Sequence, residues 1–335
     1  MAGPGRETAG ALAVARIARR ALHGFLLLVG VSLLSFVLVE LAPGDYFAEM
    51  RLDPRISEAT VRGLRARYGL DQPLPQRYLS WLASLARGEL GYSFAYGGPV
   101  GPLLWPRARN TVLLTATATA LAWLLAVPLG VWWATLRGGP VAHGLAGLTA
   151  FLLAVPDLVL ALGLLLLAVR TGWFPTGGMV SLGHEQMSWG AQVKDVASHL
   201  ALPVAALVLG LLPVLVRHVR ASVADALRAP FVHAARAHGI PEHRVLFRHA
   251  LPAAANPLIS LFGLSVAGLL SMSLVVEVVM SWPGLGPLLL EAILARDFHL
   301  VLGPVLVSTV LLVGGNLLAD LLLRAADPRI RAEDE

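Results

Sequence analysis

The chain contains no cysteine, and Lys194 is the one lysine among its 26 basic residues. The first absence excludes disulfides, zinc–thiolate sites, iron–sulfur ligation and thiol nucleophiles together. The second excludes a phosphate-binding P-loop, G-x-x-x-x-G-K-[ST], because Lys194 stands between Val193 and Asp195. Other catalytic signatures fail in the same way. His184-Glu185 begins like a zinc-protease H-E-x-x-H, but position 188 is Ser188. Gly284-Leu285-Gly286 lacks the third glycine and the strand context of a dinucleotide site, and G-x-S-x-G is absent. The histidines at 233, 238, 243 and 249 are spaced by five, five and six residues, which does not stack them on one helical face. No enzyme, cofactor or metal site assembles from these residues.

Charge is scarce as well. Asp, Glu, Lys and Arg make up 14% of the chain, against about a quarter in soluble domains. What is abundant is apolar: 56% hydrophobic residues and a mean hydropathy of +0.71. A soluble core of this length cannot hide that much apolar surface, so lipid is the solvent that fits. The arginines lie between hydrophobic runs rather than on one basic face, which argues against nucleic acid as a partner.

A membrane-spanning helix needs roughly 20 mostly apolar residues. Six stretches qualify: about 21–41, 111–136, 143–169, 200–216, 252–280 and 300–323. The expected class is an all-α membrane protein with six transmembrane helices. Prolines such as Pro203 and Pro213 fall inside spans, where neighbouring helices can satisfy the freed carbonyls. The first span follows Arg16, Arg19 and Arg20 like a signal peptide, but no small-x-small cleavage site follows it, so it reads as an uncleaved anchor.

Arginine in short loops sets orientation. The N-terminal tail holds four, the 217–251 loop six and the C-terminal tail three. With six spans all three fall on one side, together with Arg137, so both termini and that loop are expected in the cytoplasm. The segment 42–110 carries nine arginines and six acids, and its length exempts it from the rule. Within it, Ser57–Tyr68 reads as a helix capped by Ser57 and stopped by Gly69, and Gln76–Leu85 as a second.

The inner loop reads Ala234-Ala235-Arg236-Ala237-His238-Gly239-Ile240-Pro241, then Arg244-Val245-Leu246-Phe247-Arg248-His249-Ala250-Leu251-Pro252. An alanine helix can approach another protein closely. Gly239 permits a break at positive φ, and Pro241 can open the next helix. A plain helical hairpin between spans fits the same residues.

This loop resembles the E-A-A…G…L-P loop of ABC-transporter permeases of the dipeptide/oligopeptide (and nickel) family. Six further segments resemble the family in the same order: Leu41-Ala42-Pro43-Gly44-Asp45, Tyr68 to Pro75, Gly88 to Ser93, Asn110-Thr111, Gly172-Trp173-Phe174-Pro175 and Trp282-Pro283-Gly284-Leu285-Gly286. Asp327-Pro328-Arg329-Ile330-Arg331 follows at the end. The resemblance implies a type I importer permease in three parts. Residues 1–110 form the tail, first span and extracytoplasmic segment. Residues 111–324 form a five-helix core with a coupling loop at about 221–251, and 325–335 a cytoplasmic tail. It implies a second permease subunit, two cytoplasmic ATP-binding subunits and an extracytoplasmic substrate-binding protein as partners, in a bacterial or archaeal plasma (inner) membrane.

The resemblance also implies that the loop docks into an ATPase groove. Ala234, Ala235, Ala237 and Gly239 would make the closest contact, with Arg236, Arg244 and Arg248 at the rim. His233 and His238 depart from the residues common there, as do Pro241, Glu89 and Glu40 in their own motifs.

Ionisable groups within spans are costly and are functional candidates. Asp157 follows Pro156 near the middle of span three; it suits either the substrate path or an interhelical hydrogen bond. Glu277, with Trp282, Pro283 and Gly284 after it as further path or gate candidates, suits either a gate at the outer mouth or support of the turn. Asn316 and Asp320 are spaced i, i+4 in span six and suit a helix–helix contact. An autonomous secondary transporter or channel is the alternative function, though it would be expected to show an internal repeat, and none is seen.

Overall fold

The computed structural model describes residues 5–41, 46–48, 57–67, 69 and 71–326. The expected motif residues 42–45, Tyr68, Leu70 and 327–331 lie outside the described residues, as does the side chain of Asp320. The chain is almost wholly helical: α1 (Gly5–Leu41), α2 (Glu58–Arg67), α3 (Leu74–Ala86), α4 (Val100–Thr135), α5 (Pro140–Ala154), α6 (Asp157–Thr171) and α7 (Trp189–Leu227). There follow α8 (Pro230–Ala237), α9 (Glu242–Arg244), a π-helical turn (Val245–Ala250), α10 (Leu251–Ala253), α11 (Ala255–Val279), α12 (Leu285–Leu294) and α13 (Phe298–Ala326). A two-residue antiparallel ladder joins β1 (Tyr92–Ser93) to β2 (Gly98–Pro99) just before α4.

Among the described residues five helices are long and apolar enough to cross a membrane, and a sixth crossing follows if the bent pair α5–α6 is one span. The span expected at 143–169 is therefore corrected. It is two helices meeting at 99°, not one. Pro156 supplies no N–H, and the residue before a proline is driven out of helical geometry. Val155 is accordingly extended, at φ −86° and ψ 121°. Asp157 thus opens α6 rather than sitting mid-helix.

Two other boundaries move. α4 begins at Val100, ahead of the expected 111, and α7 covers 39 residues rather than 200–216. At about 1.5 Å per residue α7 is about 58 Å long, roughly twice the hydrocarbon core, so its ends stand outside the apolar layer. It absorbs 217–227, the first part of the expected inner loop. Near the N-terminus the sequence expectation holds more closely. Ser57 Oγ accepts the Thr60 N–H at 3.1 Å, capping α2, and Gly69 takes φ +68° beyond its end.

The residues divide into two compact units. One is built from 112–282 with the end of α13 from Leu312, the other from 19–111 with 283–311. In the first, the fully buried Leu114, Ala118, Leu207, Leu215 and Leu269 belong to a core laid along α4, α7 and α11. Small residues bring these helices together, as expected where lipid supplies no hydrophobic drive between them. A Cβ on Gly130 would lie 2.6 Å from Val219 Cβ and 2.9 Å from the Val216 carbonyl oxygen. Gly263 and Gly315 hold α11 against the end of α13 in the same manner, beside Ala319 and Val266 respectively. Trp123 Nε1 donates to Ser265 Oγ across α4 and α11 at 3.0 Å.

In the second unit Phe36, Tyr78, Trp81, Phe298, Leu302 and Leu306 form the core. Asp297, wholly buried, caps α13 by accepting the Leu300 N–H. Its other oxygen accepts from Ser93 Oγ at 2.7 Å and from the Ala95 N–H at 3.0 Å, tying the β-ladder to the helix start.

Candidate functional site

The inner loop is built around its own small core. Val232, Ala235, Val245 and Ala250 are buried together, with Leu227 and Ile240 against them. Pro230 sits in the first turn of α8, where its missing N–H costs nothing. The helix ends in a Schellman turn: Ile240 N–H donates to the Ala235 carbonyl at 3.2 Å and Gly239 N–H to that of Arg236 at 2.9 Å. Gly239 takes φ +75°, the left-handed geometry this turn requires. The chain then returns through Pro241, which precedes α9 as its cap rather than opening it.

This geometry sorts the expected contact residues. His233, Ala234, Ala237, His238 and Gly239 are exposed, as are Arg244 and Arg248. Ala235 is not on that face: it is 7% exposed and forms part of the loop core. Arg236 is also committed. Its Nε and Nη2 donate to the two carboxylate oxygens of Glu242 at 2.8 and 3.1 Å, closing the turn as a two-pronged latch. That bond holds the Glu242 carboxyl below its usual range and raises the Arg236 guanidinium.

Two aromatic residues escaped the sequence reading. Phe231 is 47% exposed and Phe247 63% exposed. Phe231, Ala234 and His238 stand at i, i+3 and i+7, one stripe along α8. The signal for Phe231 was its place beside Val232, which alone of the two has to face inward.

The polar residues of the spans are not gathered in one place. Asp157 is exposed, at the first turn of α6, and its Oδ1 lies 2.9 Å from where a Cβ on Gly210 of α7 would stand. Glu277 is fully buried in α11, and its carbonyl accepts the Trp282 N–H at 2.9 Å. Trp282 is itself fully buried. Asn316 rests against Gly263, with Oδ1 3.2 Å from its would-be Cβ, which suits a helix–helix contact.

Two motifs far apart in the sequence meet in the second unit. Asn110 Nδ2 donates to the Pro283 carbonyl at 2.8 Å, and Thr111 Oγ1 accepts the Leu285 N–H at 2.9 Å. The Asn-Thr pair, about three turns into α4, therefore fixes the backbone around Gly284, at the entrance to α12.

Comparison with known proteins gives two family matches. Residues 126–332 match a binding-protein-dependent transport system inner membrane component, and residues 14–115 match the N-terminal membrane component of such systems. The chain is 37% identical over 318 residues to the oligopeptide transport system permease protein AppB of Bacillus subtilis, covering 94% of this chain and 99% of that protein. It is 33% identical over 322 residues to the dipeptide transport system permease protein DppB of Escherichia coli K12, covering 90% and 94%. The di/tripeptide transport system permease protein DppB of Pseudomonas aeruginosa is 34% identical over 326 residues, covering 90% and 94%.

Proposed function

Since the chain belongs to the family of binding-protein-dependent transport system inner membrane components, we propose that it lines the translocation path of an ATP-driven importer of dipeptides or oligopeptides. It is a multi-pass membrane permease and not an enzyme. The observation that carries the substrate class is similarity along nearly the whole chain to permeases named for peptides.

The chain carries no P-loop, so in this reading ATP is bound and hydrolysed by separate subunits. The assembly we infer has a second permease subunit, two cytoplasmic ATP-binding subunits and an extracytoplasmic substrate-binding protein, in a bacterial or archaeal plasma (inner) membrane. Both termini and the inner loop face the cytoplasm. Three parts follow: 1–110, the permease core 111–324 with its coupling loop, and the tail 325–335.

The coupling surface is the outward stripe of α8 and its turn. His233, Ala234, Ala237, His238 and Gly239 make close contact, Phe231 and Phe247 supply apolar anchors, and Arg244 and Arg248 supply charge at the rim. Ala235 and Arg236 hold the shape of that surface from behind. Closure of the ATPases moves this rigid knob, and α7 and α11, which flank it, carry the displacement into the spans. Asp157 lies along the path, since a charged group at the end of a broken helix is tolerated where it faces a water-filled cavity. Glu277, Trp282, Pro283 and Gly284 hold the turn ahead of α12, and Asn316 joins α13 to α11 beside Gly263.

Uptake of a labelled dipeptide by cells carrying the intact system tests the reading. Inactivating the ATP-binding subunits should abolish uptake through this chain. Uptake that persists without them contradicts it and favours an autonomous transporter.

A further inference from the structure

Where α7 leaves the apolar layer it carries arginines that the transport reading does not use. Residues 196–216 of this helix hold no Asp, Glu, Lys or Arg. At about 1.5 Å per residue that run is about 30 Å long, the thickness of the hydrocarbon core. Arg217 and Arg220 follow at once, so they stand at headgroup level. Both are exposed, and at i, i+3 they are neighbours on one side of the helix.

α4 ends beside them. Val131 of α4 shares a small core with Val219 and Val223 of α7, and the Arg220 guanidinium lies 4.3 Å from the centre of the buried Trp133 ring. This cation–π contact fixes the depth of the charge without neutralising it. The adjacent Trp132 is 48% exposed, and tryptophan favours the headgroup region. Arg137 is exposed just past the end of α4. The two acids of 217–251 are engaged elsewhere: Asp225 lies 4.0 Å from Arg228, and Glu242 is latched to Arg236 at 2.8 Å. Among the described residues, none of Arg137, Arg217 and Arg220 lies within 4.0 Å of a carboxylate oxygen. The Glu242 carboxyl is lowered chiefly by its bond to Arg236 and in smaller part by the charge of Arg137, which places this basic patch beside the inner loop.

We propose that this patch seats the headgroups of anionic phospholipids, with Arg217 and Arg220 donating to lipid phosphate. A guanidinium with no carboxylate partner gains most from a phosphate, which it meets with two N–H donors at once. Basic groups at the mouth of a membrane span are drawn to an anionic leaflet, and the attraction falls off within a few ångströms of it. The depth of the patch favours a lipid over a soluble anion, because the exposed Trp132 ring beside it suits the glycerol and upper acyl region of the same lipid. The inference rests on α7 crossing the membrane and not on the identity of the solute. A lipid held there braces α4 against α7 next to the inner loop.

The test is thermal unfolding of the full chain in phosphatidylcholine nanodiscs with rising phosphatidylglycerol at constant ionic strength, with retained lipid counted by native mass spectrometry. Phosphatidylglycerol should raise the unfolding temperature with dose and be retained in preference to phosphatidylcholine. Replacing both Arg217→Gln and Arg220→Gln should lower that preference about twentyfold, since one arginine near an anionic surface accounts for about fivefold. Arg217→Gln alone leaves the Trp133 contact intact and should lower it about fivefold, which keeps the comparison if the double variant does not fold. Arg62→Gln, in an exposed pair on α2, should change nothing. Equal retention of the two lipids by the wild-type protein overturns the proposal, as does a preference undiminished in the arginine variants. Inorganic phosphate that protects as well as phosphatidylglycerol assigns the patch to soluble anions and overturns it too. So does loss of the lipid effect in the assembled transporter, which would assign this face to a subunit contact.

Discussion

Gly239 and the Arg236–Glu242 pair decide whether the inner loop keeps its shape. At φ +75° a side chain at 239 is strained although nothing lies within 4 Å of its would-be Cβ. Gly239→Ala should therefore destabilise the turn by about 1–2 kcal/mol through the backbone alone. Hydrogen exchange at the amides of 236–245 measures this as faster opening. The latch adds a pH dependence. Arg236 lowers the Glu242 pKa below its ordinary 4.5, so the contribution of the pair is complete above that value and is lost as pH falls through the lowered one. Exchange in this turn, corrected for intrinsic rate, should stay flat from neutral pH down to the ordinary value and rise below it. Glu242→Gln should show the raised exchange at every pH. Inside the membrane the sensitive residue is Gly130, whose Cβ would meet the backbone at Val216. Gly130→Ala should cost about 1–3 kcal/mol in detergent-solubilised protein, the range for overpacking, whereas Gly30→Ala has open space and should cost nothing of that kind.

At the scale of elements, the turn before α12 depends on side chains from within α4. Asn110→Ala leaves the Pro283 carbonyl without that donor, and Thr111→Val removes the acceptor of the Leu285 N–H. Each should destabilise by about 1–3 kcal/mol, read as a lowered unfolding midpoint. Both motifs were visible in the sequence as family-like segments, but their meeting was not, because 173 residues separate Asn110 from Pro283. Hydropathy located most of the apolar helices because lipid imposes a simple rule on length and polarity. It missed the break at Val155-Pro156, since the stretches on either side are apolar enough to read as one run and only Pro156 and Asp157 mark the bend. It also cut α7 short: Asp195 and Lys194 end the apolar run but do not end the helix. In the inner loop the alanine pattern was legible, yet which alanine faces inward was not. That depended on Val245 and Ala250 returning through the π-helical turn to cover Ala235.

For the whole molecule, the absent chemistry was the most readable part. One lysine and no cysteine left no P-loop and no thiol chemistry, so in the proposed importer ATP is bound and hydrolysed by separate subunits. The same absence makes the protein its own background for single-cysteine labelling. The most direct measurement is therefore Ala237→Cys in the full chain, crosslinked in native membranes to whatever lies against α8. The expected result is one crosslinked product with an ATP-binding subunit, formed to a different extent with and without ATP, whose formation stops peptide uptake. A crosslink to no partner, in membranes where uptake of the peptide continues, contradicts the account.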